Sequence, residues 1–247
     1  MKINYLSDVG LKRNSNQDYA RIFKNKAGRT LAVLADGMGG HKAGDVASKM
    51  TVETIGATWE ETEFDIPEKV AQWFIQEIQE INEEVYEKGQ QDENYLGMGT
   101  TIVAVAIFDD SFTLAHVGDS RAYVVRGNRM LQLTEDHSLV NDLVKAGELS
   151  AEEAINHPRK NVLTRTVGMP GLVEVDVTNQ HWLAGDYLLI NSDGLTNMVS
   201  DEKILEILEL DISLEEKVKK LVDEANNNGG RDNITVLLIH FGEEDEQ

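Results

Sequence analysis

The stretch "LAVLADGMGGHKAGD", residues 31–45, joins an apolar run to a carboxylate and places four glycines in the eight residues that follow it. The apolar residues predict a short buried β-strand, and Asp36–Gly37 is a common turn signal. A strand needs neither the carboxylate nor so many glycines in order to fold. Asp36 either caps the strand before a turn or presents an oxygen to a ligand, and this stretch alone leaves both interpretations open.

Length and composition indicate a folded, globular chain. With 247 residues, folding buries roughly 70 to 75% of the surface of the unfolded chain, which allows a substantial core. Hydrophobic residues make up 41% and charged residues 27%, both ordinary for a soluble protein. No flexible linker, internal repeat or low-complexity tract divides the sequence. We therefore expect one domain over residues 1–241, followed by a solvated acidic tail at 242–247.

The charge of the chain argues against some partners. The 23 Lys and Arg residues against 44 Asp and Glu residues give a formal net charge of −21, which repels nucleic acids and anionic lipid surfaces. We expect neither kind of partner. Carboxylates also bind divalent cations, and a bound cation reverses the local field that an anionic substrate meets. An acidic protein can in this way still act on phosphate.

The compartment is predicted from what the sequence lacks. There is no cysteine, so disulfides, thiolate catalysis and soft zinc sites are absent, as is typical of a reducing compartment. The first residues lack the apolar segment of a secretory signal, and no apolar run approaches the length of a membrane span. We expect a cytoplasmic, soluble monomer.

The first half of the chain alternates between strand and helix patterns. Strands and then two helices are predicted over residues 2–10, 17–24, 29–36, about 43–60 and 67–89. Gly89 suits the C-terminal stop of the second helix. Residues 100–133 contain "TTIVAVAIF", "SFTLAHVG", "RAYVVRG" and "RMLQL", which predict an antiparallel meander with Asp119 in a hairpin turn.

The second half continues the mixture. Capping boxes are predicted at Ser150 with Glu153 and at Ser213 with Glu216. The remaining segments are an irregular helical region at 137–170, strands near 172–180 and 186–192, helices near 201–209 and 214–226, and the strand "NITVLLIHF". Because several strands follow one another without a helix between them, we predict an α+β fold in which helices cover antiparallel sheets.

Three further aspartates resemble Asp36 in their setting. Asp193 ends the apolar run of "YLLINSDG", Asp119 lies in "AHVGDSRAY", and Asp232 follows a Gly-Gly turn in "NNNGGRDNITV". If these carboxylates converge, their repulsion is costly, and Mg²⁺ or Mn²⁺ bound by oxygen ligands would relieve it. A glycine turn would also let a main-chain carbonyl approach such an ion. The alternative is four separate turn or cap residues.

Several known nucleotide-binding, metal-binding and hydrolase motifs are incomplete or missing in the sequence. Residues 39–44 fit the start of a P-loop, but the required Gly-Lys-Ser/Thr does not follow. A dinucleotide fingerprint that begins at Gly37 needs a glycine at the position of Lys42. No EF-hand loop, H-E-x-x-H or G-x-S-x-G is present. The histidines lack metal-ligand spacing, so most, such as His240, are predicted to be structural or exposed.

Taken together, the motifs resemble the metal-dependent protein phosphatases of the PPM/PP2C family, in particular their compact bacterial serine/threonine members. The resemblance runs in order through "GLKRNSNQD", "ADGMGGHKAG", "GMGTT", "HVGDSRAY", "LTEDHSLV", "LLINSDGLTNMV" and "GGRDNITV". It implies a four-layer αββα sandwich, two antiparallel β-sheets flanked by helices, with two Mn²⁺ or Mg²⁺ ions between the sheets. By this likeness Asp36 bridges the ions, the Gly37 carbonyl binds one of them, and Asp193 and Asp232 bind the other.

The resemblance also implies roles for four other residues. Asp18 holds the centre directly or through water, whereas its neutral neighbour Gln17 contributes no charged ligand. Asp119, with Asp193, holds a weaker third ion. Arg13 clamps the substrate phosphate, for which its planar fork suits two oxygens. His41 donates a proton to the leaving oxygen.

The implied reaction is hydrolysis of phosphoserine and phosphothreonine in proteins by attack of a metal-bridging hydroxide. The expected partners are phosphorylated proteins and a Ser/Thr kinase whose action is reversed. Residues 145–168 resemble the flap beside the catalytic cleft, and their basic residues Lys145, Arg159, Lys160 and Arg165 either attract phosphopeptides or lie on a solvated face. One alternative is a catalytically inactive binding module. The other is an enzyme with the same metal chemistry whose substrate is a small phosphate ester or one dedicated regulatory protein.

Overall fold

A computed structural model of the chain describes residues 1–39 and 43–242. Its strands are β1 (Lys2–Asp8), β2 (Asp18–Lys24), β3 (Thr30–Met38), β4 (Gly99–Thr100), β5 (Ile102–Ile107), β6 (Ser111–Val117), β7 (Arg121–Arg126), β8 (Arg129–Gln132), β9 (Asp176–His181), β10 (Tyr187–Asn191) and β11 (Ile234–His240). Its α-helices are α1 (Ala43–Glu61), α2 (Pro67–Gln91), α3 (Leu139–Lys145), α4 (Ala151–Ile155), α5 (Asp193–Thr196), α6 (Asp201–Glu209) and α7 (Leu214–Asn227), with a 3₁₀ turn at Glu93–Tyr95. The predicted proton donor His41 and most of the predicted acidic tail lie outside the described residues.

The strands form two antiparallel sheets. One sheet has the order β1-β11-β10-β7-β8, and the other has the order β2-β3-β5-β6-β9, with β4 paired to β3. Alternate residues of β3 point to opposite faces: Leu31 and Val33 belong to the core under α1 and α2, whereas Ala32 and Leu34 belong to the core between the sheets. Burial on both faces explains why the strand reads as a continuous apolar run.

The third hydrophobic core lies on the outer face of the five-stranded sheet. Leu189 and Leu238 contribute to it from the strands, and Ile204 and Leu221 contribute from α6 and α7. The layers are therefore helix, sheet, sheet and helix, which confirms the predicted αββα sandwich. Among the described residues, no helix is both long enough and apolar enough to cross a bilayer.

The helix N-termini that were predicted from capping boxes are confirmed. Both predicted capping boxes are formed: the Ser150 and Ser213 hydroxyls each accept from the main-chain N–H three residues on, at 3.2 Å. The predicted stop at Gly89 is wrong, because α2 continues to Gln91. Gly89 is instead buried against the Tyr95 carbonyl, where space rather than helix termination favours glycine.

Two strand predictions also need correction. β6 and β7 lie in different sheets, so residues 118–120 form a crossover and Asp119 does not lie in a hairpin turn. The predicted single meander is therefore wrong. The strand that contains Asp36 does not end there: β3 continues through Gly37 and Met38, which pair with Thr100 and Gly99 of β4.

Candidate metal centre

The predicted acidic residues come together at one edge of the sandwich. Asp36, Asp119, Asp193 and Asp232 line one cavity of about 390 Å³, together with Arg13 and Gly37. The cavity opens where strands of both sheets end, so residues that are far apart in sequence share it. Of the two alternatives that the aspartate pattern left open, the structure shows convergence.

The antiparallel pairing explains why these residues meet. Asp18, the first residue of β2, is the register partner of Asp36 in β3. In the other sheet, Asp193 follows the end of β10 and Asp232 precedes the start of β11. Because β10 and β11 are antiparallel neighbours, these two ends are adjacent. Asp119 arrives from the crossover between the sheets.

Asp18 connects the two sheets and leaves one oxygen without a partner. Its side chain is buried, with 5% of the residue exposed. Asp18 Oδ2 accepts from Ser192 Oγ at 2.6 Å and from Thr235 Oγ1 at 2.7 Å. Among the described residues, Asp18 Oδ1 has no hydrogen-bond partner. A buried, unpaired carboxylate oxygen is costly, and a cation or an ordered water ligand of a cation would satisfy it.

The electrostatics of the cavity favour cations. Burial, followed by repulsion from the neighbouring aspartates, raises the pKa of Asp36 well above its usual range. Burial raises the pKa of Asp18 to about 7, and burial with repulsion by Asp193 raises that of Asp119 to about 7. Burial with repulsion by Asp232 raises the pKa of Asp193 to about 6. Each shift marks a carboxylate whose charged form lacks compensation.

Gly37 supplies the small size that the site needs. A Cβ atom at this position would collide with the Gly44 carbonyl, so the position admits only glycine. The cavity lining offers carboxylate oxygens beside the main chain of Gly37, and oxygen ligands are those that hard divalent cations such as Mg²⁺ and Mn²⁺ prefer. On these grounds the residues fit a centre for such ions.

Two of the cavity aspartates accept from other side chains. Asp232 Oδ2 accepts from Arg13 Nη2 at 2.7 Å, and Asp193 Oδ2 accepts from Asn197 Nδ2 at 2.9 Å. Among the described residues, the cavity carboxylates do not form a cluster in which three ligand atoms all lie within 4.8 Å of one another. A cation bound between them would offset their mutual repulsion.

A tighter cluster of potential ligand atoms lies outside this cavity. His116, His137 and Asp176 each place one such atom within 4.8 Å of the others. The Gly118 N–H donates to His137 Nδ1 at 3.1 Å, so the proton of the neutral ring is on Nε2, which faces Asp176 Oδ2 at 3.3 Å. Arg165 Nη1 also lies 3.3 Å from His137 Nε2. His137 therefore connects the crossover at Gly118 with Asp176 at the start of β9 and with Arg165, and we assign the cluster a structural role.

Arg13 lies at the rim of the cavity, on the loop between β1 and β2. Its side chain is 50% exposed, and the hydrogen bond to Asp232 raises its pKa. The Gln17 side chain packs against Gly44, and its neutral amide brings no charge to the cavity.

Sequence reasoning missed the hydroxyl groups that hold the aspartates. Thr101 Oγ1 accepts from the Asp36 N–H at 2.9 Å and hydrogen bonds to Ser120 Oγ at 2.7 Å. Thr100 Oγ1 donates to the Asp36 carbonyl at 2.8 Å. Both threonines belong to "GMGTT" and Ser120 belongs to "GDSRAY". Their place within these motifs is the sequence feature that could have indicated a role at the site.

Two of the four basic residues in the segment 145–168 form ion pairs with acidic side chains. Lys145 pairs with Glu135, and Arg165 pairs with Glu174 at 2.9 Å and with Asp176 at 3.1 Å. Lys160 lines a second cavity of about 450 Å³ that also borders Asp119 and Asp193. Of the four basic residues, Lys160 is thus placed next to the acidic site.

Comparisons with known proteins agree with this geometry. The family profile of protein phosphatase 2C matches residues 12–238. The protein phosphatase PhpP of Streptococcus pneumoniae (strain D39) is 49% identical over 247 residues, which cover 100% of both chains. The serine/threonine phosphatase stp of Listeria monocytogenes serotype 4b is 45% identical over 242 residues, with 97% of this chain and 95% of the relative covered.

Solved structures give the same result. The serine/threonine phosphatase of S. agalactiae superposes with a TM-score of 0.95 at 49% identity, covering 97% of this chain and 98% of that one. The catalytic domain of the phosphatase PstP in complex with two manganese ions superposes with a TM-score of 0.83 at 32% identity, covering 96% of both. The chain belongs to the protein phosphatase 2C family.

Proposed function

We propose that this chain is a metal-dependent phosphatase that hydrolyses phosphoserine and phosphothreonine in proteins. The observation that carries the proposal is the cavity in which half-buried aspartates from both sheets meet, with Arg13 at its rim. The relatives named serine/threonine phosphatase support the substrate class. The PstP complex with two manganese ions supports the cofactor.

The ligand assignment follows the cavity lining. Asp36, the Gly37 carbonyl, Asp193 and Asp232 would hold two Mn²⁺ or Mg²⁺ ions. Asp18 supports the centre through its unpaired Oδ1, and Asp119 with Asp193 offers a weaker third site. When bound, the ions supply Lewis acidity that lowers the pKa of water and neutralises charge on the phosphoryl group.

The chain's own residues orient the substrate. Arg13 is proposed to turn from Asp232 to the phosphate, where its guanidinium can donate two parallel hydrogen bonds to two oxygens. Positive charge at the rim compensates an otherwise acidic cavity and stabilises the charge of the transferring group. His41 is the proposed proton donor to the leaving serine or threonine oxygen.

The proposed partners are phosphorylated proteins and a Ser/Thr kinase that forms the esters this enzyme removes. We further propose that the chain acts as a monomer. Phosphopeptides, and not small phosphate esters, are the expected preferred substrates, because the cavity of Lys160 adjoins the acidic site and provides room beside the phosphorylated residue.

The test is a metal-dependent assay on matched substrates. Release of phosphate from phosphoserine and phosphothreonine peptides should require Mn²⁺ or Mg²⁺, stop with chelator and exceed the turnover of phosphorylated metabolites. Asp36→Asn should abolish it under the same conditions. Equal activity in metal-free buffer, or a clear preference for small esters, would refute the proposal.

A further inference from the structure

Asn233 is a buried amide that is bonded to both ends of the loop that contains Arg13. It follows Asp232 in sequence and only 4% of it is exposed. Asn233 Nδ2 donates to the Val9 carbonyl and to the Ser15 carbonyl, both at 2.9 Å. Asn233 Oδ1 accepts from the Gln17 N–H at 2.8 Å. The side chain therefore uses both its donors and its acceptor on residues 9–17.

The main chain around Asn233 is also closely packed. A Cβ atom on Gly10 would collide with the Asp232 carbonyl, and a Cβ atom on Gly194 would collide with the Asn233 carbonyl. Residues 232–233 thus lie between the Arg13 loop on one side and the first residues of α5, Asp193 and Gly194, on the other. Movement of this segment would disturb both neighbours.

The bond to Gln17 extends the connection to the acidic strand. The Gln17 carbonyl accepts from the Gly37 N–H at 3.0 Å, while the Gln17 N–H is held by Asn233. Asn233 therefore connects, through one residue, the entrance of β11 to the Asp36–Gly37 segment of β3. The Leu11 and Lys12 N–H groups also donate to the Gly230 carbonyl, at 2.8 and 3.1 Å. The Arg13 side chain itself makes a half-exposed pair with Asp232, which is worth little by itself.

We propose that Asn233 is the positioning residue of the phosphate-binding loop: its three hydrogen bonds fix residues 9–17 so that the Arg13 guanidinium faces the phosphate. This inference rests on the proposed function. Asn233 also borders the acidic cavity, but its amide is bonded to Val9, Ser15 and Gln17, so its effect on turnover passes through the loop and Arg13. Removing the amide should release the loop and misplace the guanidinium, while Asp232 keeps its hydrogen bond from the Asn233 main-chain N–H.

Asn233→Ala is the test variant, and Asn25→Ala is its matched control. Asn25 is also buried and also uses its amide for three hydrogen bonds, with Thr62, Phe64 and Arg29, away from the cavity. Hydrogen–deuterium exchange of the holoenzyme should become faster over residues 10–17 in Asn233→Ala and not in Asn25→Ala. Loss of that difference would show that Asn233 does not fix the loop.

Kinetics with p-nitrophenyl phosphate and Mn²⁺ provide the functional readout. Asn233→Ala should raise KM and the inhibition constant of inorganic phosphate between about tenfold and a hundredfold, as expected for a misplaced binding group, with a smaller change in kcat. In an Arg13→Ala background, the same substitution should raise KM no further. An additive effect in that background, or an unchanged KM, overturns the proposal.

The possible failures are distinguishable. A wild-type enzyme without metal-dependent phosphatase activity would refute the proposed function, whatever the variants do. If Asn233→Ala does not fold by circular dichroism, Asn233→Ser, which keeps a small hydrogen-bonding group, is measured in the same assays with the same expected direction. Failure of both variants to fold would contradict a role confined to the loop.

Discussion

Arg13 Nη2 donates to Asp232 Oδ2 over 2.7 Å, so the residue assigned to phosphate is paired with a carboxylate assigned to metal. Asp232 Oδ1 is also occupied, because it accepts from the Asn233 N–H at 2.9 Å. A carboxylate oxygen has two lone pairs, so a cation at Asp232 Oδ2 would either share that oxygen with Arg13 or displace it. The proposed metal site and the proposed phosphate clamp therefore have Asp232 in common.

Arg13→Ala should separate these two roles. We expect KM for phosphopeptides to rise by about tenfold or more, since hydrogen bonds between charged groups are lost, with a smaller fall in kcat. The affinity for Mn²⁺, measured by calorimetry, should be unchanged or higher, because Arg13 no longer competes for Asp232. Arg126→Ala, which removes an ion pair with Asp186 elsewhere, is the control. An unchanged KM would rule out the clamp role.

Asp36→Asn should abolish most of the activity. The substitution removes a charge that the proposed ions share but keeps the size of the side chain, so we expect kcat to fall by several orders of magnitude and Mn²⁺ affinity to fall with it. In the absence of metal the variant should be at least as stable as the wild type, because a repelled buried charge is gone. Thermal unfolding with and without Mn²⁺ measures this, and near wild-type turnover would contradict the assignment.

Thr235→Val tests whether the orientation of Asp18 matters. Valine has the shape of threonine but cannot donate to Asp18 Oδ2, which now accepts at 2.7 Å. We expect Mn²⁺ affinity to fall by roughly tenfold, as for other groups that orient metal ligands. Thr113→Val is the matched control, since Thr113 is buried on β6 and bonds to Asn179 instead. Equal effects of the two substitutions on calorimetric affinity would refute the role.

His137 should make the stability depend on pH. Burial lowers its pKa from the usual 6.5, so the unfolded chain takes up a proton at a higher pH than the folded protein does. The neutral ring stabilises the fold above pH 6.5, and this stability is lost as the pH falls through the lowered pKa. His137→Gln should flatten the decline in the free energy of unfolding by urea below that pH.

The control for the pH prediction is His181→Gln, whose side chain is 80% exposed. This variant should follow the wild-type profile. If His137→Gln also follows that profile, the buried neutral ring does not account for the acid sensitivity. The glutamine carbonyl can still accept from the Gly118 N–H, so the variant tests protonation more than the loss of the bond itself.

Much of the site could be predicted because short signals specify it. An apolar run followed by Asp-Gly indicated Asp36 and Asp193 as candidate site residues. The capping-box spacing of serine and glutamate predicted the N-termini of two helices. These signals are local, since they depend on strand burial and on capping within a few residues. The family resemblance supplied Asp18 and Arg13, whose sequence settings are ordinary.

Long-range pairing could not be read from the same patterns. The apolar pattern of β6 or of β7 does not reveal whether the two strands share a sheet. The sequence therefore favoured a hairpin at Asp119, whereas the chain crosses there from one sheet to the other. Likewise, Ser192 and Thr235 are common turn and strand residues. Their bonds to Asp18 span 174 and 217 positions and depend on the two sheets being stacked.

Diffraction at the manganese absorption edge from crystals soaked in Mn²⁺ tests the central claim most directly. The proposed site predicts anomalous peaks between the sheets, within bonding distance of Asp36, Asp193 and Asp232, with Arg13 turned away from Asp232. Peaks only at other positions, such as beside His116 and Asp176, or no peak in crystals of active enzyme, would contradict it.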